Sequence, residues 1–373
     1  MFIDIHILQS VPPSNINRDD TGSPKSAVYG GVRRARVSSQ AWKRATRLHF
    51  NERLSNEDVG YRTRRVAELL GDRIAIADVD HLIDDAPAVA SRVLAAGGIK
   101  MTSPKVKKGE SAKPDESGYL LFLSASQLAE LAELAVLAAR ESADLDKKRI
   151  KEIIKSKHSV DVAIFGRMVA DDAELNVDAA VQVAHAISVH AVEQEFDYFT
   201  AVDDVSQSSN ETGAGMIGTI EFNSSTLYRY ATINVAGLQQ NLGGIDAASR
   251  AASTFVDSFV RSMPSGKQNS FANGTLPDLV LIDIRDDQPV NLVGAFEIPV
   301  SPAVEGGVVK DSVARIVEQH DAIADAYARP RMSFYMSTSG IVDGLEGAGD
   351  PVSLSDLVFR VGSTVADSLA VPL

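Results

Sequence analysis

The 373-residue sequence contains no cysteine. That absence excludes disulfides, thiolate metal sites and a thiol nucleophile, and it fits a reducing, cytoplasmic location in a bacterial or similar cell. No stretch approaches the ~18 consecutive apolar residues of a membrane helix, so no membrane partner is expected. The opening residues, Met1-Phe2-Ile3-Asp4-Ile5-His6, carry an early acid and lack the basic n-region of a signal peptide. Aromatics are sparse at 6%, with Trp42 the single tryptophan. The chain is nevertheless 45% hydrophobic and 23% charged, the balance of a well-cored globular protein of one large or two ordinary domains.

Two local absences are more informative than the net charge of −13. Residues 23–47 hold seven Lys or Arg and no acid, whereas residues 168–228 hold no Lys or Arg. A basic face and an acidic face on one molecule can meet head-to-tail between copies and propagate an open array. Composition is equally satisfied if both are ordinary solvated faces.

Alternation of Ile3, Ile5 and Ile7 predicts a strand over residues 2–8, followed by a Pro-, Asn-, Asp- and Gly-rich loop to about residue 31. Ser38 or Ser39 then caps a helix to residue 53, with Trp42 inward and Lys43 and Arg47 sharing a face. Residues 59–97 read as two or more helices broken near Pro87, and residues 100–118 as a polar, mobile loop. A buried strand at 119–123, an amphipathic helix at 126–140 and a charged helix at 146–157 follow. Val162-Ala163-Ile164-Phe165 suggests strands within residues 160–190. Strands at 216–222 and 227–235 come after a flexible tip at 206–215. A helix at 247–263, a strand at 279–284, a helix at 312–328 and a strand after Pro330 complete the regular part. This order gives an α+β class with helices on one face of the sheet. It is compatible with a ferredoxin-like or RNA-recognition-type core carrying large insertions.

RNA phosphates are held by Lys and Arg, helped by hydroxyls, amides and N–H groups at helix starts. The segment from residue 18 to 47 supplies that set, with Ser38, Ser39 and Gln40 at a helix start whose dipole favours an anion. Gly30-Gly31 would let backbone approach a phosphate closely. A basic surface helix after a Gly turn is the plainer alternative. Asp19 and Asp20 raise a Mg²⁺-dependent nuclease, yet no third ligand or general base stands at a telling spacing. His185 and His190, five apart, fail the HExxH pattern and fit a sheet face or polar pocket. Gly213-x-Gly215 and Gly243-Gly244 lack a dinucleotide or P-loop signature, and no G-x-S-x-G elbow occurs. No enzyme, metal or cofactor is therefore expected. Phe196, Tyr198 and Phe199 around Asp197, and Met168 after Gly166-Arg167, are either core residues or wedges against unpaired bases.

Together, Asn17-Arg18-Asp19-Asp20, Lys25, Tyr29-Gly30-Gly31-Val32-Arg33-Arg34-Ala35-Arg36-Val37-Ser38-Ser39-Gln40 and Lys43-Arg44-Ala45 closely resemble the N-terminus of the CasC family. That family supplies the backbone of the type I-E CRISPR Cascade complex. Gly166-Arg167-Met168, Ala184-His185-Ala186-Ile187, Phe199-Thr200-Ala201-Val202-Asp203-Asp204, Tyr228-Arg229-Tyr230-Ala231 and Asn241-Leu242-Gly243-Gly244 continue the resemblance in order. It is looser over residues 100–118 and the C-terminal third.

The resemblance implies an α+β fold: a ferredoxin-like or RRM-type palm at 1–58 and 223–373, a helical finger insertion at 59–195, and an extended β-hairpin thumb at 196–222. It also implies a non-catalytic protein whose copies line up along the CRISPR RNA spacer beside other Cascade subunits. The guide bases would stay exposed to pair with target DNA. By position, Arg18, Lys25, Ser38, Gln40, Lys43, Arg44 and Arg47 would hold the RNA backbone. Met168 and Phe199 would frame the nucleotide displaced beneath each thumb, and Arg33, Arg34, Arg36, Ser39, Arg167 and Thr200 complete the expected RNA-binding set. No RNP-type Gly-Phe-aromatic strand is present, so RNA is not expected to stack on an open sheet. A metal-dependent ribonuclease centred on Asp19 or Asp20 is the alternative, and a scaffold that contacts only proteins a third possibility.

Overall fold

A computed structural model describes the chain except for residues 56, 107–112, 170–171, 202–215, 304, 339–343 and 371–373. The elements begin with β1 (Phe2–Ser14), β2 (Ser26–Tyr29), β3 (Val32–Val37) and α1 (Ser39–Phe50). Next come β4 (Gly60–Thr63), α2 (Val66–Ala77), α3 (Ala86–Ala96), β5 (Met101–Thr102), β6 (Glu116–Ser117), β7 (Leu121–Ser124), α4 (Ala125–Glu141), α5 (Lys147–Lys155) and α6 (Val160–Phe165). β8 (Val181–Val183), β9 (Ala186–Ser188), β10 (Glu195–Ala201) and β11 (Met216–Asn234) lead into α7 (Val235–Leu242), α8 (Ile245–Arg261) and α9 (Gln268–Phe271). β12 (Leu279–Arg285), α10 (Val308–Ala326), β13 (Met332–Ser337), β14 (Asp350–Pro351) and α11 (Leu354–Ala370) close the chain. Two compact units result. The first comprises Met1–His49, Val183–Ile233 and Ser253–Val361, and the second Phe50–Gln182, Asn234–Ala252 and Gly362–Leu373.

The first unit is built on a mixed sheet of order β14-β13-β12-β1-β11-β9-β3-β2. β1 pairs antiparallel with β12 from Phe2↔Arg285 to Leu8↔Leu279, whereas β13 and β14 run parallel. Ile3, Ile5 and Ile7 form one face of β1, as their alternation suggests. The opposite face, Asp4, His6 and Leu8, is equally inaccessible to solvent. Helices therefore cover both faces of the sheet rather than one, and the unit is a mixed α/β layer structure. On one side, Tyr228, Tyr230 and Leu281 pack with Val313 and Ile316 of α10. On the other, Arg229 of β11 lies over Trp42 of α1 and Phe259 of α8, its guanidinium carbon 3.8 Å and 4.5 Å from the ring centroids.

The second unit has its own core, in which Leu70, Ile74, Val93, Leu94, Leu128, Leu131, Ile150 and Ile154 join α2, α3, α4 and α5. Ser124 and Gln127 form a capping box at the start of α4, each side chain bonding the other's backbone N–H. The strands expected within residues 160–190 are corrected at Val160–Phe165, which is α6. Burial of Val162, Ala163 and Ile164 overrides their β preference, and Gly166, at φ +78°, ends the turn. The sequence reading also stops short of α11, although Leu357, Val361 and Val365 recur at helical spacing and are fully buried. The ends of the 100–118 loop are joined by β5 and β6, while its middle and the 206–215 tip lie outside the described residues. Among the described residues no helix is long and apolar enough to cross a membrane.

Candidate nucleic-acid interface

Asn17 organises the basic surface of the first unit. Its side-chain oxygen accepts from Ser38 N at 2.8 Å, and its carbonyl accepts from Lys25 N at 2.9 Å. Arg36 N in turn donates to the Lys25 carbonyl at 2.9 Å. One amide residue thus ties the Arg18 loop, β2, β3 and the start of α1 together. Ser38 stands at the N-terminus of α1, its hydroxyl accepting from Ala41 N at 3.3 Å. The first turn of α1 holds no acid, so the positive end of its dipole is not offset within the helix. Trp42 and Thr46 face inward, leaving Gln40 and Arg44 exposed four residues apart, with Ser39, Lys43 and Arg47 half-buried beside them.

The surface is dense in cations that lack a carboxylate partner. Some cations elsewhere are matched, Lys151 with Asp172, Lys155 with Glu174, Arg261 with Asp257 and Arg315 with Asp311. Among the described residues, Arg18, Lys25, Arg33, Arg36, Lys43 and Arg44 make no ion pair. Arg33 donates instead to Gln194 at 3.0 Å, and Arg36 to the Ser26 carbonyl and to His185 Nδ1, each at 3.1 Å. Burial lowers the Lys43 ammonium from its ordinary value with no acid to raise it again. Partial burial, then Arg36 and Lys25, lower the His185 imidazole. Groups so placed gain from an arriving anion. Lys25 and Arg36 line a small pocket with Ser14, Asn17, Asn223 and Ser225.

Two residues of the expected RNA-binding set, Arg34 and Arg167, lie inside the protein. Arg34 is fully buried and donates to the carbonyls of Tyr29 (3.1 Å), Ser188 (3.0 Å) and Phe296 (2.7 Å). Arg167, in the second unit, is likewise buried. It donates to the carbonyls of Leu175 at 2.8 Å, Ile154 at 3.0 Å and Phe122 at 3.3 Å, and burial pushes it down to about 10. Each guanidinium is enclosed and spends three donors on backbone carbonyls. Met168, next to Arg167, is 81% exposed.

Gly30-Gly31 is also a structural feature. It closes the β2–β3 hairpin with φ of +59° and +77°, the positive pair that a type I′ turn requires. Gly30 approaches the protein's own Glu297 carbonyl rather than open solvent.

β10 and β11 form an antiparallel hairpin from Glu195↔Phe222 to Ala201↔Met216. Phe199 lies opposite Gly218 and its ring covers the place where a Cβ would be. Thr200, Phe196 and Tyr198 are exposed along the same strand. Of the acid-rich run, Asp172 and Glu174 are consumed by Lys151 and Lys155, whereas Asp171, Asp203 and Asp204 lie outside the described residues. One Asp19 oxygen accepts from Thr21 N, Thr21 Oγ1 and Ser23 N at 2.7–3.0 Å, as a turn cap does. His190 accepts from Thr226 N at 3.2 Å and donates to the Ala191 carbonyl, holding a turn. Sequence reasoning missed the Asn17 clamp, whose only signal was its place in the N-terminal motif.

No curated protein sequence matches the chain. Two solved structures are similar to it. A chain of a "CRISPR RNA-guided surveillance complex, pre-nicking" shares 35% identity and a TM-score of 0.84, covering 98% of this chain and 100% of that one. A chain of a "CRISPR RNA-guided surveillance complex" shares 30% identity and a TM-score of 0.74, covering 96% and 100%. The family model described as CT1975-like protein, a Cas family, matches residues 3–358. With the fold, the basic surface and these likenesses in agreement over nearly the whole length, the chain belongs to the CT1975-like family of Cas proteins.

Proposed function

We propose that this chain binds CRISPR RNA as a non-catalytic backbone subunit of a type I-E Cascade complex in the cytoplasm. Several copies line up along the guide beside other Cascade subunits and leave its bases free to pair with target DNA. In this reading the first unit is the palm, the β10–β11 hairpin its thumb, and the second unit carries the finger. The observation that carries it is the cluster of cations without ion pairs on β2, β3 and the start of α1, within the acid-free run of residues 23–47. A guide holder must grip phosphate and sugar without occupying Watson–Crick edges, because base pairing delivers the sequence information. Cations at a helix start do that without reading a base.

The double variant Lys43→Glu, Arg44→Glu tests it. Co-expressed with a CRISPR RNA and the partner subunits, wild type is expected in a large particle with guide of defined length, and the variant largely without RNA. Each phosphate contact removed lowers the slope of log affinity against log salt by about 0.7. Unchanged assembly and slope would sink the reading. Asp19 and Asp20 have no chemical role in it, so bound RNA stays intact when Mg²⁺ is added. Cleavage abolished by Asp20→Ala would promote the ribonuclease alternative.

Phe199→Ala is expected to weaken the assembled particle while leaving the thermal midpoint of the isolated subunit within a degree or two. Phe199 packs on the hairpin's Gly218 and, among the described residues, belongs to neither the α2–α5 core nor the one beneath α10. Loss of stability equal to the loss of assembly would place it in a core role instead.

A further inference from the structure

His185, between β8 and β9, holds its Nδ1 3.1 Å from Arg36 Nη1. A guanidinium only donates, so Nδ1 carries the lone pair and the neutral imidazole keeps its proton on Nε2. Arg36 is itself held, with Nε on the Ser26 carbonyl and its backbone N on the Lys25 carbonyl. The charged groups bearing on His185 are Arg36 of β3 and Lys25 ahead of β2. β11 brings only the neutral Asn223 and Ser225 to the adjoining pocket, and β1 brings Ser14. Two cations that have no carboxylate among the described residues thus flank a titratable group half in solvent. We infer that His185 is a conditional third cation beside this pocket, behind Arg36: it stays neutral while Arg36 donates to it, and takes a proton from solvent when a phosphate group sits between Lys25 and Arg36.

The physical cause is the field. In the empty pocket a proton on His185 faces two like charges, and it also costs the bond from Arg36. A phosphate cancels that field, draws the Arg36 fork onto its own oxygens and offers the freed Nδ1–H an acceptor. The charge present thus adjusts to the charge arriving, which keeps an unoccupied site from carrying three adjacent cations. This inference rests on the RNA-binding reading, with the RNA backbone as the source of the phosphate. Its linkage sign is definite. The occupied pocket binds more protons than the empty one, so affinity rises as pH falls, by at most tenfold per pH unit for one proton.

His185→Asn is the decisive variant, because an amide oxygen can still accept from Arg36 and the side chain cannot titrate. Binding of a short fluorescein-labelled oligouridylate is measured at pH 6 and pH 8 at constant ionic strength, alongside the His185 ring-carbon NMR titration with and without inorganic phosphate. Wild type is expected to gain on the order of tenfold more affinity at pH 6 over pH 8 than His185→Asn does, and phosphate is expected to raise the His185 titration. Identical pH dependence in wild type and variant, or a titration unmoved by phosphate, overturns the inference. If phosphate raises the titration but oligouridylate does not bind, the anion pocket stands and the RNA reading falls.

Discussion

Gly30→Ala is expected to be among the most damaging single-methyl changes in the chain, lowering stability by roughly 3 kcal/mol or more, whereas Gly31→Ala next to it costs about 1 kcal/mol. Both residues occupy the left-handed region, at φ +59° and +77°, and both replacements incur that backbone penalty. They differ in space. A Cβ at Gly31 meets nothing within 4 Å, but one at Gly30 would overlap the carbonyl oxygen of Glu297 and sit 2.8 Å from its carbon. Backbone cannot swing aside as a side chain does. Moving Glu297 also pulls Phe296, whose carbonyl accepts from the buried Arg34 at 2.7 Å. The clash therefore spreads into the hydrogen bonds that hold β3 to β9. Urea denaturation of both variants checks the difference, and equal midpoints for the two would show that the Glu297 contact is soft. RNA affinity is expected to fall with Gly30→Ala as well, since the hairpin it closes presents Arg33 and Arg36.

Asp283→Asn is expected to cost about 3–5 kcal/mol, the penalty for removing one partner from a buried charge cluster. Asp283 lies opposite Asp4 in the β1–β12 register, two carboxylates on neighbouring strands with no solvent access. Arg285 reaches both, its Nε 3.3 Å from Asp4 and its Nη2 3.6 Å from Asp283. Asp283 also accepts from His320 at 3.2 Å and from Ser333 at 2.6 Å. Burial alone would raise its pKa, but the hydrogen bond from His320 and the His6 ring 3.7 Å away outweigh that and hold the carboxyl well below its usual range. Asp4 is pushed up, chiefly by burial. One carboxyl of the pair is thereby kept charged and the other moved toward neutrality, as expected when two acids share a dry site.

The same cluster sets a pH dependence. Burial would lower His320, yet Asp283 and then Asp321 raise it above 6.5. A base raised on folding contributes stability that is fully present below its unfolded value, near 6.5, and lost as pH climbs through the folded value. The thermal midpoint is thus expected to decline from about pH 6.5 upward, and His320→Gln should flatten that segment of the curve. Asp283 acts in the opposite direction: its contribution is present above the unfolded value of 3.8 and disappears only in acid. A wild-type midpoint that does not fall above neutrality would remove His320 from the docking of α10 on the sheet.

Much was legible in the sequence. Elements with a strong period and apolar composition, such as β1, α4, α8, β12 and α10, stand where patterning places them, because burial of one stripe is a local property that repeats along the chain. The acid-free run of residues 23–47 and the ordered motifs from Asn17 onward were enough to suggest a CRISPR-associated protein. Patterning was weaker wherever packing outweighed propensity. α6 is a helix written in β-branched residues, and the polar face of β1 holds Asp4 and His6 in the dry interior because Arg285 and Tyr230 engage Asp4 and Tyr228 bonds His6 Nδ1.

The chemistry divides in the same way. By itself the sequence determined that a block of cations exists, that no acid interrupts it over residues 23–47, and that thiol chemistry is absent. Which cations can meet a ligand was decided only by the tertiary structure. Arg34 and Arg36 lie two apart on one strand and share a face by period, yet Arg34 is sealed inside and Arg36 reaches His185. The difference is the company each keeps. Three carbonyls converge on Arg34 from Tyr29, Ser188 and Phe296, residues up to 262 positions away, and they compensate its desolvation. No such set surrounds Arg36. An arginine becomes structural when the fold brings it enough acceptors and stays available when it does not, and a linear sequence does not record where distant carbonyls will point.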